Sequence, residues 1–80
     1  MNIIIYLIPK CKFCIEAVNF LKSKNIKFTE FDVSKDPEKA EEMKKKSGQS
    51  NVPVLDIDNK IITGFNETEI TRILYNAEHN

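Results

Sequence analysis

The residues Ile3-Ile4-Ile5-Tyr6-Leu7-Ile8 form an unbroken apolar run, rich in β-branched side chains and closed by Pro9. A strand that is apolar at every position offers apolar side chains on both faces, so both must be covered. Such a strand belongs in the middle of a sheet. The run therefore predicts the central strand of the fold, within which Tyr6 is a packing residue.

Beyond Pro9 the apolar period changes. Cys11, Cys14, Val18 and Leu21 recur at spacings of three and four, with Ala17 filling in, which predicts a helix. Lys22 and Lys24 suit the negative end of its dipole. Phe28 to Val33 reads as a second strand, with Phe31 and Val33 on one face and Glu30 and Asp32 on the other. Asp36-Pro37 marks a helix start, with Asp as N-cap and Pro at the first helical position. Glu38, Glu41 and Glu42 come early in this helix and Lys44, Lys45 and Lys46 late, and Gly48 can close it. Ala40 and Met43 are its only clear apolar residues, so it is expected to be the least buried helix. Its lysine run is expected to be a solvated end.

Val52-Pro53-Val54-Leu55-Asp56-Ile57 predicts a third strand and Lys60 to Thr63 a fourth. Asp58-Asn59 between them is a tight turn, so the two strands form an antiparallel hairpin. Gly64-Phe65 breaks the pattern. Asn66 with Glu69 resembles a capping box, and Ile70, Ile73, Leu74 and Ala77 form the stripe of a last helix. The polar tail over residues 78–80 is expected to fray. The order is β-α-β-α-β-β-α, an α/β chain whose first two strands pair in parallel across a helix. No repeat, linker or low-complexity segment divides it, so residues 1–80 read as one domain.

Twelve basic and twelve acidic side chains cancel, which removes the general electrostatic case for nucleic acid or an anionic membrane. The apolar run at the N-terminus is far short of the ~20 residues that span a bilayer. It also lacks the basic flank and small-residue cleavage site of a secretory signal. A cytoplasmic protein is expected.

The chemistry lies in Cys11-Lys12-Phe13-Cys14, the only two cysteines of the chain. The spacing lets two thiols close a small disulfide ring. At the mouth of a helix, free backbone N–H groups and the dipole favour a thiolate, and Lys10 and Lys12 add positive charge. Cys11 is thus expected to be exposed and acidic, and Cys14, one turn on, buried and less acidic. Cys11 would attack a disulfide and Cys14 would resolve the mixed disulfide. Three other readings compete. A zinc site wants four ligands, and the only other soft ligand is His79. A structural disulfide over one helical turn would stabilise little. Inert core thiols are the third.

Cys11-Lys12-Phe13-Cys14 resembles the C-P-Y-C of glutaredoxins, with Phe13 in the aromatic place and Lys12 where proline usually stands. Asn51-Val52-Pro53 resembles their T-V-P segment, and Gly64-Phe65-Asn66 falls where they carry a glycine pair before the last helix. The resemblance covers nearly the whole chain. It implies the minimal thioredoxin fold, a four-stranded mixed sheet of order 2-1-3-4 flanked by three helices. It also implies a cis Val52-Pro53 bond that sets the Val52 backbone opposite Cys11 as a rail for an extended substrate.

On the same resemblance, glutathione is a co-substrate: its glycine carboxylate would meet Lys10 and Lys12, and its γ-glutamyl carboxylate the helix start at Gly64, Phe65 and Asn66. Phe65 departs from the pattern by replacing the second glycine. It either narrows the groove and meets a protein partner or packs into the core. A Gly-Phe pair resembles the glutaredoxin-like hydrogen donors of ribonucleotide reductase, which a thioredoxin-reductase-like flavoenzyme recharges. The expected partners are therefore disulfide-containing proteins and either glutathione or such a flavoenzyme, with no bound cofactor, no metal, and a monomeric chain. A reading of another class is a non-catalytic thioredoxin-fold adaptor or an iron–sulfur carrier. Cluster-binding members typically keep a single active-site cysteine, so Cys14 argues against the carrier.

Overall fold

The computed structural model describes residues 1–78; the tail expected to fray and His79 lie outside the described residues, apart from the backbone of Glu78. Seven elements follow one another: β1 (Ile3–Leu7), α1 (Lys12–Ser23), β2 (Thr29–Asp32), α2 (Pro37–Ser47), β3 (Val54–Ile57), β4 (Lys60–Thr63) and α3 (Glu67–Glu78). The sheet runs in the order β2-β1-β3-β4. β1 pairs in parallel with β2, Ile4 opposite Thr29 and Leu7 opposite Asp32. It pairs antiparallel with β3, Ile3 opposite Ile57 and Tyr6 opposite Val54. β4 closes the hairpin with Val54 opposite Thr63. This is the α/β, minimal thioredoxin arrangement.

The central strand divides the interior in two. Ile3 and Ile5 join Leu55, Ile57 and Ile62 against Ala17 and Leu21 of α1 and Ile70, Ile73 and Leu74 of α3. The opposite face is thinner: Tyr6, Val54 and Met43, with Ile4, Phe31, Val33 and Ile61 around them. Fully buried side chains of the size of Leu21 or Leu55 each contribute about 1.5–3 kcal/mol. The α1/α3 face therefore carries most of the apolar stabilisation. α2 buries only Met43.

Polar bonds supply what α2 lacks in apolar contact. Lys46 Nζ donates to Asp56 Oδ2 and to Tyr6 Oη, both at 2.7 Å. The Tyr6 hydroxyl donates to Glu42. Lys39 Nζ sits 4.2 Å from the centre of the Phe31 ring. Lys46 is thus not part of a solvated end, as the lysine run suggests; it reaches across the sheet to a carboxylate that is buried. Burial opposes its charge, but the bonds to Asp56 and Tyr6 outweigh that and hold the ammonium well above the ordinary lysine range. Asp56 also accepts the Asn59 N–H at 2.8 Å, which ties it to the hairpin turn.

The caps follow the sequence with one exception. Asp36 Oδ1 accepts from Lys39 N, Pro37 opens α2, and Gly48 ends it at φ 72°. Asp58 and Asn59 take φ 49° and 72°, the paired positive values that a two-residue hairpin turn of right-handed twist requires. Asn66 Oδ1 accepts from Glu69 N at 3.0 Å. The second half of that capping box does not form, because the Glu69 carboxylate pairs instead with Arg72. A charge-assisted pair one helical turn away wins over a bond to a neutral N–H.

Candidate active site

Three loops meet at one end of the sheet, and the registers dictate it. β1 and β3 are antiparallel with Tyr6 opposite Val54, so the end of β1 leads out beside the start of β3. β4 leaves at the same end, since Thr63 lies opposite Val54. The Gly64 N–H donates to Pro53 O at 2.8 Å and locks two of the loops together. Residues 8–14, 51–53 and 64–66 are thereby gathered where no strand continues.

The first loop builds the sulfur site. Pro9 and Lys10 turn the chain, with Lys10 in the left-handed region at φ 63°. Cys11 is the N-cap of α1 in extended conformation, and its carbonyl accepts the Ile15 N–H at 3.0 Å. Its Sγ accepts the Cys14 N–H at 3.2 Å. A sulfur thus occupies the place that a serine or aspartate oxygen fills in an ordinary cap. Both thiols are free, Cys11 half-buried and Cys14 buried. Burial pushes the Cys14 thiol up to about 11; its hydrogen bond to Cys11 and the charge there add to this, against a backbone bond from Ile8. A cleft of about 210 Å³ lined by Leu7, Ile8, Pro9, Cys14, Ile15 and Val18 opens on the β2 side of this loop.

The flanking residues sort themselves by exposure. Lys10 and Lys12 are exposed, and neither has an ion-pair partner among the described residues. Phe13 is 57% exposed, so the aromatic side chain of the motif faces solvent. Lys12 is the first residue of α1.

The second loop ends in a cis Val52-Pro53 peptide. Pro53 is buried, Val52 half-buried and Asn51 exposed. The ladder begins only at Val54, two residues later than the pattern Val52–Ile57 suggests. Pro53 has no N–H to give the ladder, and the backbone before it is turned aside. As a result the N–H and C=O of Val52 have no hydrogen-bond partner among the described residues. An unpaired peptide at the sheet end that also carries the two cysteines is the kind of edge an extended chain can join.

At the third loop Gly64 takes φ 78°, and Phe65 turns its ring inward against Phe20 of α1, centroids 5.9 Å apart and edge to face. Phe65 packs against the α1/α3 core. Of the two places open to this side chain, core packing is the one it takes. Asn66 stays exposed as the cap of α3. The Gln49 side chain bonds the Asn51 backbone. Such a contact has no signature in hydrophobic period or spacing.

An α/β sheet of this order, with a C-x-x-C whose first sulfur caps a helix and a cis-proline at the same end, defines a thioredoxin-fold protein. Comparison narrows the class. The glutaredoxin family profile matches residues 3–62. An 8.6 kDa glutaredoxin-like protein of the rubredoxin operon of Clostridium pasteurianum is 46% identical over 70 residues, spanning 88% of this chain and 93% of that one. Glutaredoxin 3 of Escherichia coli K12 is 36% identical over 66 residues, covering 82% and 80% of the two chains. The solved structure of NrdH-redoxin from Escherichia coli, described as glutaredoxin-like with a thioredoxin-like activity profile, superposes with a TM-score of 0.82 at 26% identity over 90% of this chain and 93% of its own. The chain belongs to the glutaredoxin family. Among the described residues no helix is long and apolar enough to cross a membrane.

Proposed function

We propose that this protein is a dithiol oxidoreductase that reduces protein or glutathione mixed disulfides through Cys11, with Cys14 as the resolving thiol. The observation that carries the reading is the N-cap geometry: Cys11 Sγ held by the Cys14 N–H at 3.2 Å, with Cys14 buried behind it. The backbone N–H holds the Cys11 sulfur at the mouth of α1, with the second thiol one turn behind it.

The chemistry runs in two exchanges. Cys11 thiolate attacks one sulfur of the substrate disulfide, the substrate S–S bond breaks, and the departing thiolate takes up a proton. Cys14 then loses its proton and attacks Cys11 Sγ. The Cys11–Cys14 disulfide forms and the substrate leaves as its second thiol, two electrons richer. Two of the causes that hold the Cys14 proton are the hydrogen bond and the charge at Cys11. Both vanish once Cys11 is tied up in a mixed disulfide, so the first step prepares the second. Val52 supplies an N–H and a C=O to the substrate backbone during this time, and Lys10, Lys12, Phe13 and Asn51 border the approach.

Two sources can return the electrons. Glutathione is the first: Phe65 packs inward and leaves the start of α3 open, and Asn66 keeps that start capped, which supports anion binding there. The second is a thioredoxin-reductase-like flavoenzyme, supported by the likeness to NrdH-redoxin. Under that reading the substrate is a ribonucleotide-reductase-type protein disulfide. Either source places the protein in the reducing cytoplasm, working as a monomer without a bound cofactor.

The test is a coupled NADPH assay with a disulfide substrate. The protein is supplied either with glutathione and glutathione reductase or with thioredoxin reductase. Turnover in the first system supports the glutathione reading, and turnover in the second only moves the assignment to the flavoenzyme. Absence of turnover in both contradicts the oxidoreductase reading.

A further inference from the structure

We infer that Gln49 is a positioning residue for the substrate rail, acting through Asn51 on the Val52 peptide; the inference rests on the exchange mechanism proposed above. The Gln49 side-chain amide carries the same donor and acceptor as a peptide group. It uses both on a single residue. Nε2 donates to Asn51 O at 3.1 Å, and Oε1 accepts the Asn51 N–H. The pairing imitates one rung of a sheet and restrains the Asn51 backbone at both its N–H and its C=O.

The brace is itself anchored. The Gln49 N–H donates to Ser47 Oγ at 3.4 Å, and that hydroxyl donates to Met43 O at 2.7 Å, in the last turn of α2. Gly48 N–H closes the same turn on Lys44 O at 2.8 Å. A continuous set of bonds therefore runs from α2 through Gln49 to Asn51. At the other side of the rail, Pro53 O is fixed by the Gly64 N–H at 2.8 Å. Between the two fixed points lies Val52, whose N–H and C=O have no partner among the described residues.

This arrangement separates the used peptide from the free one. The Asn51 backbone is already engaged, its N–H and C=O both paired with the Gln49 side chain. Val52 is the first residue able to pair, and its orientation is set from both sides. Without the brace, Asn51 regains its own conformational freedom, and an incoming chain must order it on binding. The loss then falls on substrates that use the rail and spares those that do not.

The experiment compares two disulfides across the wild type, Gln49→Ala and Gln49→Glu. One is a peptide disulfide with backbone amides on both sides of its cysteine. The other is dithionitrobenzoate, which has no peptide groups. In Gln49→Ala the KM for the peptide is expected to rise about five- to tenfold, the worth of one rail hydrogen bond. The kcat, the reaction with dithionitrobenzoate and the thermal midpoint are expected to hold. Gln49→Glu keeps the acceptor for the Asn51 N–H but faces the Asn51 carbonyl with a carboxylate, and is expected to be at least as impaired toward the peptide. Equal effects on both substrates, or none on either, would overturn the assignment. A wild type that reduces neither disulfide would instead sink the oxidoreductase reading, so the two failures are told apart.

Discussion

The backbone N–H of Cys14 donates to the Sγ of Cys11 at 3.2 Å, so the buried cysteine holds the half-buried one by its main chain while its own thiol points inward. One peptide therefore fixes the distance and the order of the pair. A second bond, between the two thiols, helps hold the proton on Cys14.

This asymmetry sets which sulfur an alkylating reagent finds. Iodoacetamide at neutral pH is expected to add once to the reduced protein, on Cys11. Cys14 is expected to stay unlabelled until the pH nears the value of about 11 to which burial pushes its thiol. Peptide mapping by mass spectrometry reads the site. Labelling of Cys14 at a rate equal to that of Cys11 at pH 7 contradicts the ordering.

The Cys14 proton also enters the stability of the reduced fold. Its thiol is held at about 11 in the fold against an ordinary 9.0, so the unfolded chain releases the proton first. The stability conferred by the neutral thiol is present in full below about pH 9 and drains away as pH climbs to about 11. The loss is on the order of 2 kcal/mol by linkage. Urea melts of the reduced protein at pH 8 and 10.5 measure it. In the unfolded chain Tyr6 and Lys46 release their protons in the upper part of this window, while the fold holds both above their ordinary values, so Cys14→Ala is the control: its melts are expected to lose correspondingly less between the two pH values. An identical loss in both proteins counts against the assignment.

Asp56 is buried, and its charge is met by Lys46. Replacing Lys46 with Met leaves the carboxylate facing α2 with the Asn59 N–H as its one partner among the described residues. Removal of one partner of a buried pair costs about 3–5 kcal/mol, and the partial exposure of the Lys46 side chain brings the expected loss toward about 2 kcal/mol. The double variant Lys46→Met with Asp56→Leu removes both charges and is expected to recover most of it. Denaturant midpoints of the two variants check this. A double variant as unstable as the single one contradicts the pairing argument.

How much of this was legible in the sequence depends on what kind of signal each feature leaves. The seven elements follow from periods and turn residues, with Ile3 to Leu7 in the centre, Phe31 and Val33 sharing a face and Asp58-Asn59 at the hairpin, whereas the sheet order comes from the resemblance to glutaredoxins. The N-cap place of Cys11 is legible because an apolar strand, a proline and a helical period frame it within a few residues. Asp56 was hidden inside an apolar run, and Lys46 inside a lysine run. Only the register across β1 and β3, with Ile4 opposite Asp56, sets that carboxylate on the α2 face. The ring of Phe65 had two chemically reasonable places, and the edge contact to Phe20 selects one. Val52 stands outside the ladder because proline both withholds an N–H and turns the chain, which shortens β3 to Val54–Ile57.

The most direct measurement is mass spectrometry of the Cys14→Ser and Cys11→Ser variants after exposure to a peptide disulfide. In Cys14→Ser the attack proceeds but nothing resolves it, so a stable one-to-one mixed disulfide mapped to Cys11 is predicted. Cys11→Ser is predicted to form none. A mixed disulfide on Cys14 in the Cys11→Ser variant, or an unmodified Cys11 in the Cys14→Ser variant, would contradict the account.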